Sequence, residues 1–175
     1  ALFISPPDYV QGDSVRIMYV HVPASFLALA CFGFIGIASI CTLIFKIKIL
    51  PLMAKSLAPV GFLFGLISIA TGSLWGKPTW GIWWVWDARL TSMAILFLFY
   101  LAYIFTWKFV NNFEKANKIS SVIGAIGLFN LPVIKYSVDW WNTLHQPSSI
   151  TLTSAPTIHY TKLIPLISMH CGMII

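Results

Sequence analysis

Apolar segments alternate with polar connections along the chain, and each complete segment has the roughly twenty residues that a helix needs to cross a bilayer. Four segments are complete, and a fifth begins near Thr161 and continues to the end of the sequence. The complete segments are predicted at about 23–45, 56–74, 91–110 and 119–136. The pattern predicts an all-α, polytopic transmembrane helix bundle that forms a single membrane domain over residues 1–175. Two longer loops, 75–92 and 137–160, interrupt it.

The start of the first span is open to two interpretations. Pro23 suits the first turn of a helix, which predicts a start there. A start near Val15 with a kink at Pro23 fits the same pattern. Three polar residues before it are candidate helix caps: Asp8, Asp13 and Ser14.

The composition supports a membrane protein. The chain is 58% hydrophobic and only 9% charged, whereas soluble domains carry about 25% charged residues. The net charge of +6 comes from scattered residues, which argues against a clustered nucleic-acid surface. The three cysteines form no CxxC or CxxCH, so neither a disulfide framework, a zinc site nor covalent haem attachment is supported.

The number of crossings places both longer loops on the same membrane face as His21, because even numbers of spans separate them. The other face has two short turns with six lysines: Lys46, Lys48, Lys55, Lys108, Lys115 and Lys118. Positive charge concentrates in cytoplasmic loops. The lysine turns are therefore predicted to be cytoplasmic and the longer loops external.

The segment 75–92, WGKPTWGIWWVWDARLTS, contains five of the eight tryptophans: Trp75, Trp80, Trp83, Trp84 and Trp86. Tryptophans at a membrane boundary are commonly simple anchors. Five in one connection exceed that need. Gly76 and Gly81 permit sharp turns, and Pro78 restricts the backbone. The segment predicts an exposed aromatic shelf for a flat, apolar ligand.

Two histidines lie on the same face as this shelf, His21 in YVHVPA and His145 in WWNTLHQP. Neutral imidazole is the usual ligand of haem iron, so the two could clamp a planar macrocycle from opposite sides. The tryptophans would then stack on its rim. Three cations could pair with its carboxylates: Lys77, Arg89 and Arg16. The alternative is that a histidine near a helix start is a hydrogen-bonded interface residue, which is the commoner case.

The remaining polar candidates have mainly structural interpretations. Asp87 is either a pocket acid or a partner of a tryptophan N–H or Arg89, and we favour the second. Asp139 is expected to act similarly beside Trp140 and Trp141. His170 is expected to be a core residue, and His159 is the reserve candidate for a ligand.

The tryptophan-rich segment resembles the WWD motif of membrane haem-handling proteins. Together with QGDSVRIMYVHVPA at 11–24 and YSVDWWNTLHQP at 136–147, it makes the chain similar to the CcmC family of the cytochrome c maturation system. The resemblance covers most of the chain. It implies six transmembrane helices, of which the first is absent here and the last incomplete, so we expect a piece of a longer protein.

The resemblance also implies a function. His21 and His145 match the family's two external histidines and are expected to be axial ligands of non-covalently bound haem b. Cofactor contacts are expected from the five tryptophans, Lys77, Asp87 and Arg89. The implied role is haem transport in cytochrome c-type biogenesis, in the bacterial inner membrane or alternatively the mitochondrial inner membrane. The implied partners are the haem chaperone CcmE, the ABC transporter subunits CcmA and CcmB, and the small protein CcmD.

Two functions of other classes remain as alternatives. One is a membrane permease that moves haem or a small solute through the bundle, although the spans offer few ionisable residues to line a path. The other is an aromatic cage for a quaternary ammonium ligand. We see no nucleophile–base pair, so an enzyme that makes bonds is not expected.

Overall fold

The computed structural model describes residues 1–3, 5–145 and 155–174. These ranges contain a short 3-10 helix, Asp13–Ile17, and six α-helices: α1 Met18–Phe45, α2 Leu50–Trp80, α3 Ala88–Phe109, α4 Phe113–Leu128, α5 Asn130–Trp140 and α6 Tyr160–Ile174. Four helical stretches are long and apolar enough to cross a membrane: Asp13–Phe45, Leu50–Trp80, Ala88–Phe109 and Phe113–Trp140. The predicted α-helical membrane bundle is confirmed.

Helix α1 settles the question left open at its N-terminus. The 3-10 helix begins at Asp13 and leads directly into α1, so Pro23 lies inside the helix. The prediction of a start at Pro23 was wrong, and the earlier start is correct. Neither Asp13 nor Ser14 caps the helix, since the residue before the 3-10 helix is Gly12 and no side chain caps it.

The tryptophan-rich segment, predicted to be a loop over 75–92, is largely helical. Helix α2 continues through Trp80 and ends at Gly81, whose φ of 80° is the left-handed conformation favoured at helix C-termini. Helix α3 starts at Ala88, so only 81–87 is non-helical. The second predicted loop is also shorter at its start, because α5 extends to Trp140. Residues 146–154 lie outside the described residues.

The fourth predicted span consists of two consecutive helices. Helix α4 ends at Leu128 and α5 begins at Asn130. Pro132 explains the break, since it cannot donate a backbone hydrogen bond to Leu128 and its ring would crowd that carbonyl. Asn130 helps to fix the junction by donating from Nδ2 to the carbonyl oxygen of Ser92, at 2.8 Å, on α3.

Helix α1 packs between α2 and α4. A Cβ at Gly124 would lie 2.4 Å from Oγ of Ser39, and one at Gly127 would lie 2.6 Å from the ring of Phe32. These two glycines therefore allow α4 to approach α1 closely. Across the other side of the core, the buried Tyr100 of α3 donates a hydrogen bond to the carbonyl oxygen of Ala28, at 2.7 Å.

The N-terminal segment is tied to the last helix. Asp8 accepts hydrogen bonds from the backbone of Val10 and Gln11, and it forms an ion pair with Lys162 of α6. The ammonium group of Lys162, followed by the Val10 N–H, holds the pKa of the Asp8 carboxyl below its ordinary value. Because α6 otherwise packs mainly on α1, this pair is a second attachment of α6 to the bundle.

Accessibility across the membrane tests the crossing count. In a variant without native cysteines, Tyr9→Cys and Asn142→Cys should react with an impermeant thiol reagent added outside, whereas Asn111→Cys should react only after permeabilisation. All three side chains are exposed, and Tyr9 is 98% exposed. Labelling of Asn111 in intact membranes together with the other two would overturn the topology.

The Asp8–Lys162 pair predicts a dependence of stability on pH. A carboxyl whose pKa is lowered by folding contributes fully above its unfolded pKa of about 3.9 and loses that contribution as the pH falls through its folded pKa. Asp8→Asn should lower the free energy of unfolding at pH 7 by about 1 kcal/mol, and the difference from the parent should shrink below pH 4. Thermal unfolding in detergent measures it.

Asp13→Asn is the matched control, because Asp13 is exposed and pairs only locally with Arg16, three residues away. An unchanged unfolding temperature for Asp8→Asn at pH 7 would show that the pair does not hold α6 in place.

Candidate functional site

His21 and His145 lie next to each other although 124 positions separate them in the sequence. Their ring centroids are 6.5 Å apart and the ring planes are inclined by 35°. His21 is the fourth residue of α1, and His145 follows the end of α5. The packing of α1 in the bundle thus brings the two predicted ligands to one place at the same end of the molecule.

The imidazole of His21 is held by α2. Its Nδ1 lies 3.0 Å from the carbonyl oxygen of Ser68 and 3.1 Å from Oγ1 of Thr71. A carbonyl can only accept, so Nδ1 must carry the proton and donate. In this tautomer Nε2 keeps its lone pair, which is what a metal ligand requires.

A single face of α2 forms this support. Ser68, Thr71, Gly72 and Trp75 follow the spacing of three and four residues that lines one side of a helix. A Cβ at Gly72 would lie 2.9 Å from Cε1 of His21, so the ring occupies the space that the glycine leaves. The Trp75 ring meets His21 edge-on, at 5.9 Å between centroids.

Two tryptophans flank the histidine pair. Trp75 contacts His21, and the centroid of Trp80 lies 6.1 Å from that of His145. Nε1 of Trp75 donates to Oε1 of Gln11 at 3.0 Å, which fixes the indole orientation from the N-terminal segment. The four rings therefore form a row in space, in the order Trp75, His21, His145 and Trp80. Both tryptophans are on the last turns of α2.

The other three tryptophans lie in the connection 81–87. Trp83 and Trp86 are 54% and 80% exposed, while Trp84 is half-buried with its ring edge-on to Trp86 at 5.7 Å. Oγ of Ser73 donates to the carbonyl oxygen of Trp83 and ties the connection to α2. The predicted shelf thus has two parts, a pair beside the histidines and an exposed group beyond them.

The three predicted cations have different surroundings. Lys77 donates to the carbonyl oxygen of Gly81 at 3.0 Å and lies over the Trp83 ring. Arg16 forms an ion pair with Asp13 at 3.2 Å. Arg89 has the nearby charges of Asp87 and Asp139 but keeps Nη1 buried without a hydrogen-bond partner among the described residues. Nε of Arg16 is likewise buried without a hydrogen-bond partner among the described residues, so both arginines have a donor available.

Asp87 has a structural role, but its hydrogen bond is to the backbone of α3, whereas a tryptophan N–H or Arg89 was the expected partner. It is the N-cap of α3, and its Oδ1 accepts from the backbone N–H of Leu90 at 2.8 Å. Its other oxygen, Oδ2, and Nε1 of Trp84 are buried and have no hydrogen-bond partner in the described part of the chain. With Nη1 of Arg89 they make three unsatisfied polar atoms in one short segment, a feature that needs an explanation in a folded protein.

The remaining histidines are engaged elsewhere. His159 directly precedes α6, where its carbonyl oxygen accepts from the backbone N–H groups of Lys162 and Leu163 and its Nδ1 lies 2.9 Å from Oγ1 of Thr161. His170 is half-buried and packs edge-on against Phe26 of α1. Of the four histidines, only His21 and His145 are found paired with each other.

The spacing of the histidine pair fits one metal ion between two imidazoles. Metal–nitrogen bonds of about 2.0–2.1 Å put the two ligating nitrogens about 4 Å apart. The ring centroids must lie further apart than the nitrogens. A centroid separation of 6.5 Å is therefore of the right size.

Sequence reasoning missed the residues that support His21. Ser68, Thr71 and Gly72 lie inside an apolar segment that was interpreted only as a span. A signal was present, because these small or polar residues share one helical face with Trp75. Gln11 was part of a recognised motif, but nothing in the sequence paired it with Trp75.

Comparison with known proteins identifies related chains. Residues 1–175 match the model of the CcmC family, described as heme exporter protein C. The heme exporter protein C of Bradyrhizobium diazoefficiens is 45% identical over 95% of this chain. A cytochrome c biosynthesis ccmC-like mitochondrial protein of Marchantia polymorpha is 44% identical over 95% of the chain. The heme exporter protein C of Escherichia coli K12 is 43% identical over 83%.

These relatives are longer than the present chain. The matched region spans 63% of the Bradyrhizobium protein, 70% of the Marchantia protein and 59% of the Escherichia coli protein.

Proposed function

Because this chain belongs to the CcmC family, heme exporter protein C, we propose that it binds haem b non-covalently at the external membrane face and delivers it for c-type cytochrome assembly. The carrying observation is the pairing of His21 with His145, 6.5 Å apart and flanked by Trp75 and Trp80. A membrane anchor alone would not require two imidazoles from distant parts of the chain to meet.

Each part of the site would contribute a different interaction. His21, through Nε2, and His145 would hold the iron, because neutral imidazole is the usual ligand of haem iron. The tryptophan rings contact the apolar part of the macrocycle, and Nη1 of Arg89 pairs with a carboxylate at its edge. Haem iron, when bound, supplies the coordination sites. This chain supplies the ligands that orient the haem and an apolar, partly covered surface for the macrocycle.

The role is one of handling rather than bond formation. The family name describes an exporter. We propose that the protein passes haem to the chaperone CcmE and works in a complex with CcmA, CcmB and CcmD. Since both bacterial and mitochondrial relatives occur, the site is proposed to face the periplasm in a bacterial inner membrane, or the equivalent external side of the mitochondrial inner membrane.

Histidine variants test the axial ligands. His21→Ala or His145→Ala should leave five-coordinate or water-bound iron, since alanine has no lone pair, and added imidazole should restore the six-coordinate spectrum. The absorption spectrum of the purified full-length protein in detergent is the measurement. His159→Ala and His170→Ala are matched controls and should retain the parent spectrum. A change in His159→Ala but not in His145→Ala would reassign the second ligand, and no change in any of the four would exclude axial ligation by these histidines.

Tryptophan variants test the contact surface. Trp80→Ala and Trp83→Ala should still insert into the membrane but retain haem less well, by about twofold to tenfold, which corresponds to the roughly 0.5–1.5 kcal/mol of an aromatic pair. Haem titration of each variant measures the loss. Trp140→Ala is the control, because Trp140 is an exposed boundary tryptophan that stacks on Tyr136. Equal retention in all three variants would leave the tryptophans as anchors only.

A further inference from the structure

The hydrogen bonds of Thr71 help to determine which imidazole nitrogen of His21 carries the proton. Oγ1 of Thr71 donates to the carbonyl oxygen of Ile67, at 2.6 Å, within α2. This bond uses the single proton of the hydroxyl group. The hydroxyl oxygen can therefore only accept a hydrogen bond from Nδ1 of His21, which lies 3.1 Å away. Ser68 supplies the second acceptor through its carbonyl oxygen at 3.0 Å. Two acceptors facing one nitrogen leave the Nδ1–H tautomer as the favourable one.

We propose that Thr71 is a positioning residue for haem binding, which holds the proton of His21 on Nδ1 so that Nε2 keeps the lone pair that would ligate the iron. Gly72 completes the arrangement by leaving room for the imidazole ring. This inference rests on the proposed function and names the residues that prepare one of its ligands. Residues that bind the second nitrogen of a metal-bound histidine fix its tautomer and orientation and tune its strength as a ligand.

The contact is not needed to join the helices. Ser25 of α1 and Ser68 of α2 already share a hydrogen bond of 2.6 Å between their hydroxyl groups. Ser25 also donates to the carbonyl oxygen of His21, at 2.7 Å. The backbone around His21 is therefore attached to α2 independently of the ring, and the bond from Nδ1 to Thr71 acts on the imidazole alone.

The chemistry of the two acceptors suits a site that releases its ligand. A carboxylate partner would draw the Nδ1 proton strongly and make the imidazole a stronger electron donor. A hydroxyl and a backbone carbonyl are uncharged and do this less. His21 is thus held in the correct tautomer without the increase in basicity that would favour permanent retention of iron.

The tautomer can be measured without haem. In the ligand-free, full-length protein, 15N NMR of the His21 imidazole should show the Nδ1–H tautomer as the main form. Thr71→Val preserves the shape of the side chain but removes the acceptor, so a detectable fraction of the Nε2–H tautomer should appear. Thr71→Ser should restore the parent spectrum. Thr106→Val is the matched control, because Thr106 makes the same bond to the carbonyl four residues earlier, on α3, without contact to a histidine.

The haem-bound protein gives the second readout. Thr71→Val should lower haem affinity by about 10- to 100-fold, as is typical when such a supporting contact is lost, and should raise the midpoint potential because a weaker donor stabilises ferric iron less. Gly72→Ala should also lower affinity, since its Cβ would displace the ring. Gly65→Ala is its control on the same helix, where a Cβ would meet only ordinary contact with Phe97, at 3.9 Å.

The role of Thr71 and the ligand role of His21 can be disproved separately. If His21→Ala abolishes six-coordinate iron but Thr71→Val keeps the parent tautomer, affinity and potential, this inference is wrong and the proposed function stands. If His21→Ala leaves haem binding and the spectrum unchanged, His21 is not a ligand, so the part of the proposed function that assigns it is wrong, and the NMR result then reports only on hydrogen bonding within the bundle.

Discussion

The close packing of α1 against α2 is the interaction on which the site depends. Lipid is as apolar as the side chains of a membrane helix, so such helices associate through tight contact and hydrogen bonds rather than through the hydrophobic effect. Here both are present. Gly61 and Gly72 of α2 leave space for Cys31 and His21 of α1, and Ser25 and Ser68 bond across the interface. A shift of α1 along α2 would separate His21 from its acceptors, so the same contacts that stabilise the bundle determine the geometry of the imidazole.

The conformation of the connection 81–87 is fixed by the ends of the two helices that it joins, and not by a hydrophobic core of its own. Gly81 ends α2 in a left-handed conformation, and Asp87 starts α3 by capping it. Between these two fixed points the chain exposes Trp83 and Trp86. The unsatisfied polar atoms of Trp84, Asp87 and Arg89 lie in the same region. Polar atoms left unpaired in a folded protein are costly, and they are most simply explained where a ligand completes their hydrogen bonds.

The two histidines are attached to the rest of the protein in different ways. His21 belongs to a long helix and is fixed by contacts with a second one. His145 lies beyond the end of α5 and meets His21 and Trp80 through ring contacts. Trp75 is oriented by Gln11 from the N-terminal segment, which Asp8 in turn ties to α6. Three separate parts of the chain therefore converge on the histidine pair.

Much of this protein can be predicted from the sequence. The four complete spans, the shared face of His21 and both connections, and the tryptophan-rich segment follow from hydropathy, crossing parity and residue type. The helix limits do not, because Pro23 and Pro78 are tolerated inside helices whose other backbone groups are satisfied by their neighbours. The residues that support His21 cannot be predicted from the sequence either, since the composition of an apolar segment does not show which of its faces packs against another helix. Residue types and their order determine the candidate ligands, whereas only the pairing of α1 with α2 decides which nitrogen of His21 carries the proton, because that depends on atoms fifty positions away in the chain.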